Sequence, residues 1–385
     1  MDHYELIATC SFGLESIVAE ELRNLGFQDL MIENGRITFN GKEEDIARCN
    51  IWLRTADRVL IKMAEFRATD FDELFQGTAG IIWENIIPMN GKMHVTGKSV
   101  RSKLASIRDC QSIVKKSIIK AMNRKYHLVQ FPETGPLYKI EISLLKDTAT
   151  ITIDTTGQGL HKRGYREEAG EAPLRENLAA ALVLLSRWSP DRILADPMCG
   201  SGTIPIEAAL IGRNIAPGIK RSFVSENWQN IPKKIWDEAR SDARTKEHNG
   251  TFRILASDDD GRILRKARDN ANRAGVGDLI AFQRLPVEQF RSSKKYGCII
   301  CNPPYGERIG DSKGVERLFR SMGESFTHLH AWSFFILNAH PQFEAFFGTK
   351  SNKNRKLYNG NIKCYLYEYF GPLPPTRLHK AELGL

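Results

Sequence analysis

Asn302, Pro303, Pro304 and Tyr305 follow a short apolar run, and their types suit one demanding task. The exocyclic amine of a nucleobase is a poor nucleophile, because its lone pair is delocalised into the ring. Asn302 can accept one N–H through its side-chain oxygen. The Pro303 carbonyl can accept the other, its direction fixed by two rigid prolines. Both bonds strengthen as the nitrogen becomes tetrahedral and positive, so they favour the transition state over the ground state. Tyr305 can stack on the ring, which must be flipped or unpaired to enter. For these four residues alone, a structural proline turn is the alternative.

Two other strand-ends carry complementary chemistry. In "ADPMCGSGT" (195–203) a strand ends at Asp196, and Gly200 and Gly202 allow a tight turn with close backbone approach to a ligand before a helix begins. A dinucleotide fingerprint needs G-x-G-x-x-G with an acid about 20 residues on. Here the chain reads G-S-G-T-I-P, and the next strand-end acids, Asp258 and Asp259, come 62 and 63 residues after Asp196. A nicotinamide site is therefore disfavoured. No lysine follows the glycines to hold phosphates, so this is not a P-loop. An acid at 258 can accept both hydroxyls of a ribose. The pocket suits a nucleoside, and an adenosine bearing a sulfonium, S-adenosylmethionine, fits it. With these two motifs upstream, the catalytic reading of the N-P-P-Y run is favoured over the proline turn.

These motifs need a frame that brings strand-ends together. From 173 onward, strands alternate with helices: "PLRENLAAALVLLSRW" (173–188) is an apolar helix, and strands are expected at 192–196, 252–258, 296–301 and 330–340. That order predicts a parallel, doubly wound sheet whose carboxyl ends hold the ligand. An insertion at about 213–250 contains "FVSENWQNIPKKIW", whose aromatics read as a cover over the site or as a local core. "KLYNGNIKCYLYEYF" (356–370) reads as a hairpin turning at Asn359-Gly360. Lys350, Lys353, Arg355 and Lys356 nearby either touch a polyanion or keep a sheet edge soluble. The first 155 residues mix helix and strand. "SFGLESIVAEELRNLGF" is an amphipathic helix, "GRITFNG" (35–41) alternates like a strand with one exposed face, and 137–157 reads as a two-stranded hairpin. This is an α+β module of ferredoxin-like kind. Residues 156–172, rich in glycine and charge, read as a linker.

Composition narrows the partners. The 385 residues carry a net charge of +9, and no apolar run reaches membrane-spanning length. The N-terminus has no secretory pattern, so a cytoplasmic location and no membrane partner are expected. Seven scattered cysteines do not make a disulfide framework. Cys298 and Cys301 form C-x-x-C, but within a strand they point to opposite faces; two small core residues are expected there, and no metal. Between Lys98 and Lys125 nine basic residues face one acid, Asp109. A helix here buries Ile113, Ser117 and Ala121 with Ile107, Cys110, Val114 and Ile118 and turns its cations outward, either as a solvated face or as a surface for phosphates.

The runs "HKRGYR" (161–166), "APLRENLAAAL" (172–182), "DPMCGSGTIPIEAA" (196–209) and "CNPPYGER" (301–308) together resemble the THUMP-containing guanine-N2 RNA methyltransferases, specifically the RlmL type acting on 23S ribosomal RNA. "CSFGLESIVAEELRNLGF" resembles that family's ferredoxin-like entry domain and "VRSKLASIRDCQSIVKKSI" its THUMP domain. The resemblance implies a Rossmann-like class I methyltransferase sheet (173–385) preceded by ferredoxin-like (1–64) and THUMP (65–155) parts. It implies S-adenosylmethionine as cofactor, held by Asp196, Pro197, Cys199, Gly200, Gly202, Thr203, Asp258, Asp259 and Asn302. Asn302, Pro303, Pro304 and Tyr305 match the catalytic tetrapeptide. The THUMP likeness implies RNA binding through Lys98, Arg101, Lys103, Lys115, Lys116 and Lys120, with 23S rRNA or a ribosome assembly intermediate as partner. Where the family often has an Asp near the adenine, this chain has Leu285-Pro286, which leaves a backbone group or Glu288 to take that role. Some members carry a second C-terminal methyltransferase domain; with the last residue at Leu385, no second activity is expected. N2-guanine methylation of tRNA, N6-adenine methylation of RNA or DNA, and a non-catalytic RNA-binding assembly factor are the competing readings.

Overall fold

Asp154 closes the last strand of one sheet and Leu194 opens the first strand of another. The computed structural model describes residues 3–128, 130–166, 174–304 and 312–375. Two compact units result, and neither is continuous in the chain. One comprises Met1–Cys10, Val18–Leu160 and Ala216–Thr245; the other comprises Ser11–Ile17, His161–Ile215 and Lys246–Leu385.

The first unit is built on seven strands: β1 (Tyr4–Thr9), β2 (Met31–Glu33), β3 (Arg36–Gly41), β4 (Arg58–Arg67), β5 (Lys92–Val100), β6 (Leu137–Leu145) and β7 (Thr148–Asp154). They form a single sheet in the order β2-β3-β1-β4-β7-β6-β5. β4 joins the ferredoxin-like and THUMP parts, pairing with β1 on one side and β7 on the other, with a register shift between Lys62 and Ala64. β3 lies between β1 and β2; Ile37, Phe39 and Gly41 on one face are buried, while on the other Arg36 is half-buried, Thr38 buried and Asn40 exposed. The helices are α1 (Glu15–Asn24), which begins in the second unit's segment, α2 (Glu43–Trp52), α3 (Phe71–Ala79) and α4 (Ile107–Tyr126). α4 starts where Ser106 accepts from the Asp109 N–H, and it buries Cys110, Val114, Ser117, Ile118, Ala121 and Met122 on one stripe.

The insertion packs into the core of the first unit. Residues 216–245 belong to the first unit and end in a helix that packs on α2. Trp228 stacks on Tyr138 of β6, with centroids 4.6 Å apart, and its indole N–H donates to the Leu137 carbonyl at 3.0 Å. Phe223 stacks on Trp236, and the Ser225 hydroxyl donates to the Thr155 carbonyl. The insertion's aromatics are thus core residues of the α+β module.

The second unit contains α5 (Glu176–Leu185), β8 (Leu194–Asp196), α6 (Thr203–Gly212), β9 (Ile254–Asp258), α8 (Gly261–Ala274), β10 (Ile280–Arg284), β11 (Cys298–Cys301), α9 (Ser312–Thr327), β12 (Ser333–Asn338), α10 (Phe343–Phe347), β13 (Lys353–Asn359) and β14 (Ile362–Tyr369); α7 (Lys233–Thr245) is the insertion's helix. The sheet order is β10-β9-β8-β11-β12-β14-β13. β8 to β12 run parallel, while β14 and β13 return antiparallel. The expected doubly wound sheet is therefore present, with an antiparallel edge. Its hairpin turns at Gly360-Asn361, one residue later than expected, since Asn359 pairs with Ile362 and Gly360 takes φ +63. Cys298 and Cys301 are buried free thiols in β11. Among the described residues no helix is long and apolar enough to cross a membrane.

Trp228→Ala should destabilise the first unit by about 3–5 kcal/mol, as for a large aromatic removed from a core. Hydrogen exchange should show the loss of protection in β6 and α7. Unchanged protection there would mean that the insertion is not part of that core.

Candidate functional site

The turn after β8 is held by backbone bonds from three directions. The Cys199 N–H donates to the Ser257 carbonyl at 2.9 Å, the Gly200 N–H to the Asp258 carboxylate at 2.9 Å, and the Gly202 N–H back to the Cys199 carbonyl. Gly200 and Gly202 take φ +52 and +83, a region that side-chain-bearing residues avoid. A Cβ on Gly202 would also press on the Ala267 Cβ of α8 at 3.2 Å, whereas one on Gly200 would have room. Gly202 thus serves conformation and helix packing, Gly200 conformation alone. From α8, the Asn270 amide donates to the Ser201 carbonyl at 3.0 Å, and Arg273 donates both to the Asn270 side-chain oxygen and to the Tyr165 carbonyl. Gly202 caps α6 without a side chain, so the helix presents free N–H groups and its positive end toward this turn.

Asp196 is 1% exposed, and among the described residues its carboxylate accepts one bond, from the Met198 N–H at 3.2 Å. Burial, helped by the charge of Asp258, holds it well above the usual carboxylate range. Asp258 at the end of β9 is also raised by burial, although it accepts from both Gly200 and Asp260 N–H groups. Burial and the two aspartates likewise push the Cys199 thiol well up, so it is not a reactive thiolate. Two acids and one glycine turn therefore meet at the carboxyl ends of β8 and β9.

Asn302 lies just past β11, whose Cys298 and Ile299 pair with Leu194 and Ala195 of β8. It therefore emerges at the same carboxyl edge as Asp196. Its side-chain oxygen is buried and has no hydrogen-bond partner among the described residues. An acceptor left so costs about 1–3 kcal/mol, which a ligand donor would recover. Pro303 is buried and Pro304 half-buried; Tyr305 lies outside the described residues.

The other anticipated residues divide. Pro197 is buried in the turn. The Thr203 hydroxyl accepts from Arg166, so its oxygen is already engaged. Asp259 is exposed, with its carbonyl taken by Arg284. Glu288 is exposed and the Leu285 N–H bonds the Asp258 carbonyl. Sequence reasoning assigned no role to Arg163, Tyr165 and Glu207. Glu207 on α6 is fully buried, and it pairs with Arg163 at 3.4 Å and accepts from the Tyr165 hydroxyl at 3.1 Å. Arg166 pairs with the Glu176 carboxylate at 3.7 Å. These interactions moor α6, and with it the glycine turn. Their signal was the charge of "HKRGYR" standing before an apolar helix.

In the first unit the basic candidates lie on β5, its exit and α4. Lys98 pairs with Glu141 and Lys115 with Glu133, each at 2.7 Å, and Lys120 lies over the Phe75 ring. Arg101, Lys103 and Lys116 are exposed. β5 and α4 enclose a groove of about 430 Å³ lined by Met93, His94, Arg108, Lys115, Lys116 and Ile119, a cationic rim over an apolar floor. Arg108 was counted in the basic run but not singled out, and the helix turns it into this groove.

The chain matches the RMKL-like methyltransferase domain over residues 163–368, the RlmL ferredoxin-like domain over 5–60 and the THUMP domain over 68–154. It is 49% identical over 380 residues to the YpsC protein of Bacillus subtilis, covering 98% of each chain. It is 34% identical over 378 residues to the ribosomal RNA large subunit methyltransferase K/L of Vibrio cholerae; 95% of this chain aligns, with 53% of that protein, so it spans about half the length of that relative. The solved structure of SMU.472 complexed with SAH superposes with a TM-score of 0.92 at 46% identity, over 97% of this chain and 100% of that one. A structure from Listeria monocytogenes, described as a predicted N6-adenine-specific DNA methylase, gives 0.92 at 48% identity over 97% of both.

Because the folded pKa of Asp196 is raised, the empty protein loses stability as pH rises from the ordinary carboxylate pKa toward the folded one, and the penalty vanishes only as pH falls back to that ordinary value. Asp196→Asn should therefore melt higher than the parent at pH 8, by roughly 2–4 °C for each kcal/mol relieved. The gap should close toward acid pH. A gap independent of pH, measured by thermal unfolding of the ligand-free protein, would exclude Asp196 as the source.

Proposed function

The chain belongs to the RMKL-like methyltransferases, and from that premise we propose that it methylates the exocyclic N2 of a guanine in RNA, with 23S rRNA as the acceptor. S-adenosylmethionine is the cofactor of this family, and a close structural relative is complexed with SAH. The residues present fit it: a glycine turn open to backbone approach, a raised acid at the end of β9 for ribose hydroxyls, and a buried Asp196 short of a cationic partner. When bound, it supplies a methyl group on a sulfonium, ready for a nitrogen nucleophile.

The observation that carries the reading is the orphaned Asn302 oxygen. In the proposed mechanism Asn302 accepts one N–H of the target amine and the Pro303 carbonyl accepts the other. Their pull returns lone-pair density to the nitrogen, and both bonds tighten as positive charge develops there. Tyr305 is assigned to stack on the base. Asp258 and Asp196 face the cofactor, with Pro197, Cys199, Gly200, Gly202 and Thr203 as its turn and Asp259 at the rim.

RNA as the acceptor is supported by the THUMP match, by the cationic groove beside α4 and by the name of the K/L relatives. N6-adenine methylation is the second reading, favoured by the description of the Listeria structure and by the fact that Asn302 suits any exocyclic amine.

Methyl transfer to unmodified total RNA followed by nucleoside analysis should yield N2-methylguanosine; N6-methyladenosine would keep the chemistry and change the base. Asn302→Ala should lower the transfer rate by about 10²–10³ with cofactor affinity near that of the parent, as for removal of one transition-state hydrogen bond. Equal declines in affinity and rate would make Asn302 structural. Reversing Arg108 and Lys116 to Glu should weaken RNA binding and reduce its salt dependence, by about 0.7–0.9 in log–log slope for each phosphate no longer neutralised. An unchanged slope would remove the groove from the footprint.

A further inference from the structure

The β13–β14 hairpin carries a surface that the glycine turn and the N-P-P-Y site do not use. Tyr365 of β14 stands opposite Lys356 of β13, and Lys363 opposite Tyr358. Cross-strand partners share a face, so two lysines and two tyrosines form a checkerboard there. The Lys363 ammonium lies over the Tyr365 ring at 5.2 Å, and that of Lys356 over the Tyr358 ring at 5.4 Å. Phe12, in the same unit, stands edge-on to Tyr358 at 6.2 Å, with the Lys356 ammonium also over it at 5.6 Å, and is 47% exposed. Among the described residues, Lys353, Lys356 and Lys363 have no carboxylate at ion-pairing distance, and the hairpin's one ion pair is Arg355 with the buried Glu368. Lysines alone would protect a sheet edge. Solubility gives no reason to interleave them with rings, nor to leave Phe12 exposed beside them.

The register places this surface on the catalytic rim. Cys301 of β11 pairs with Ile336 of β12, so Pro303, two residues past Cys301, is level with Asn338, two residues past Ile336. Asn338 pairs with Tyr365, and Tyr365 with Lys356. One line across the sheet thus runs from Pro303 to the checkerboard over three strand spacings, about 14 Å.

Resting on the RNA methyltransferase reading, we propose that Phe12, Lys356, Tyr358, Lys363 and Tyr365 form a stacking platform for the single-stranded RNA that flanks the target nucleotide. A base that enters the N-P-P-Y site has left its stack, and its neighbours need a surface to hold them. Alternating rings and unpaired cations offer base faces and phosphates what they require, without reading sequence.

The test uses the full-length enzyme with a short fluorescein-labelled single-stranded RNA of mixed sequence, and with a large-subunit rRNA transcript. Tyr358→Ala should weaken binding about tenfold, the scale of one base–aromatic stack, while Tyr358→Trp should bind like the parent. The double variant Lys356→Ala/Lys363→Ala should lower the log–log salt slope by about 1.4, two single-strand phosphates at ~0.7 each. Unchanged S-adenosylmethionine affinity in each variant shows that the fold is kept. If the parent binds RNA and these variants match it in affinity and slope, the platform alone is overturned. If the parent binds no RNA, the platform falls together with the RNA reading, and the two failures are told apart by the parent's behaviour. Variants that bind RNA normally but fail to cosediment with purified large ribosomal subunits would make the face a protein-binding surface and overturn the proposal.

Discussion

Two polar groups at the carboxyl edge of one sheet are buried with too few partners, the Asp196 carboxylate and the Asn302 side-chain oxygen. Each destabilises the empty fold, and neither would persist in a chain free to turn it toward water. What holds them is the frame. Asp196 ends β8, a strand of three residues enclosed by β9 and β11, and Asn302 follows a strand whose four residues are all buried. The turn between β8 and α6 cannot swing away, because Asn270 grips Ser201 and the Arg163–Glu207 pair fixes α6 from behind. A buried ion pair is weak evidence for stability but a good device for fixing one geometry. Here it does so beneath the glycine turn between β8 and α6.

The insertion uses chain length in another way. Leaving the second unit after α6, the chain runs through Trp228 and α7 in the first unit and returns at Lys246 to enter β9. β8 and β9 are neighbours in the sheet, and the excursion leaves after the end of α6 and returns at the start of β9, at the amino edge of these parallel strands. The Trp228–Tyr138 stack and the Phe223–Trp236 stack anchor it at two points.

Where the chemistry depends on adjacent residues, the sequence was legible. The glycine turn, the strand-end acids, Asn302 and the alternation of strands and helices are local patterns, whereas the order β10-β9-β8-β11-β12-β14-β13 is not that of their succession. What required coordinates was non-local. The aromatics of 216–245 announce a core but not which core. Asn270 and Arg273 read as ordinary polar positions on an amphipathic helix, and only the fold sets them against the glycine turn. Thr203 looks open to a ligand in sequence, but the fold sets Arg166 on its hydroxyl. On the more open face of β3, Thr38 is buried and Asn40 exposed, a difference that the alternation of the sequence does not give.

Charge shows the same divide most sharply. Read along the chain, the run from Lys98 to Lys125 holds nine cations and one acid, nearly the protein's whole excess. In space Glu141 and Glu133, from β6 and the segment before it, neutralise Lys98 and Lys115. The groove then rests on Arg108 and Lys116, fewer charges but set above an apolar floor. On the β13–β14 hairpin the reverse holds. A lysine count there is unremarkable in sequence, but antiparallel register sets Lys356 and Lys363 across from tyrosines, with no carboxylate at ion-pairing distance among the described residues. Attraction for a polyanion depends on cations that no local carboxylate has already satisfied. By that measure the sequence overstates the helix and understates the hairpin, and the catalytic rim carries more of the free positive surface than the linear count implies.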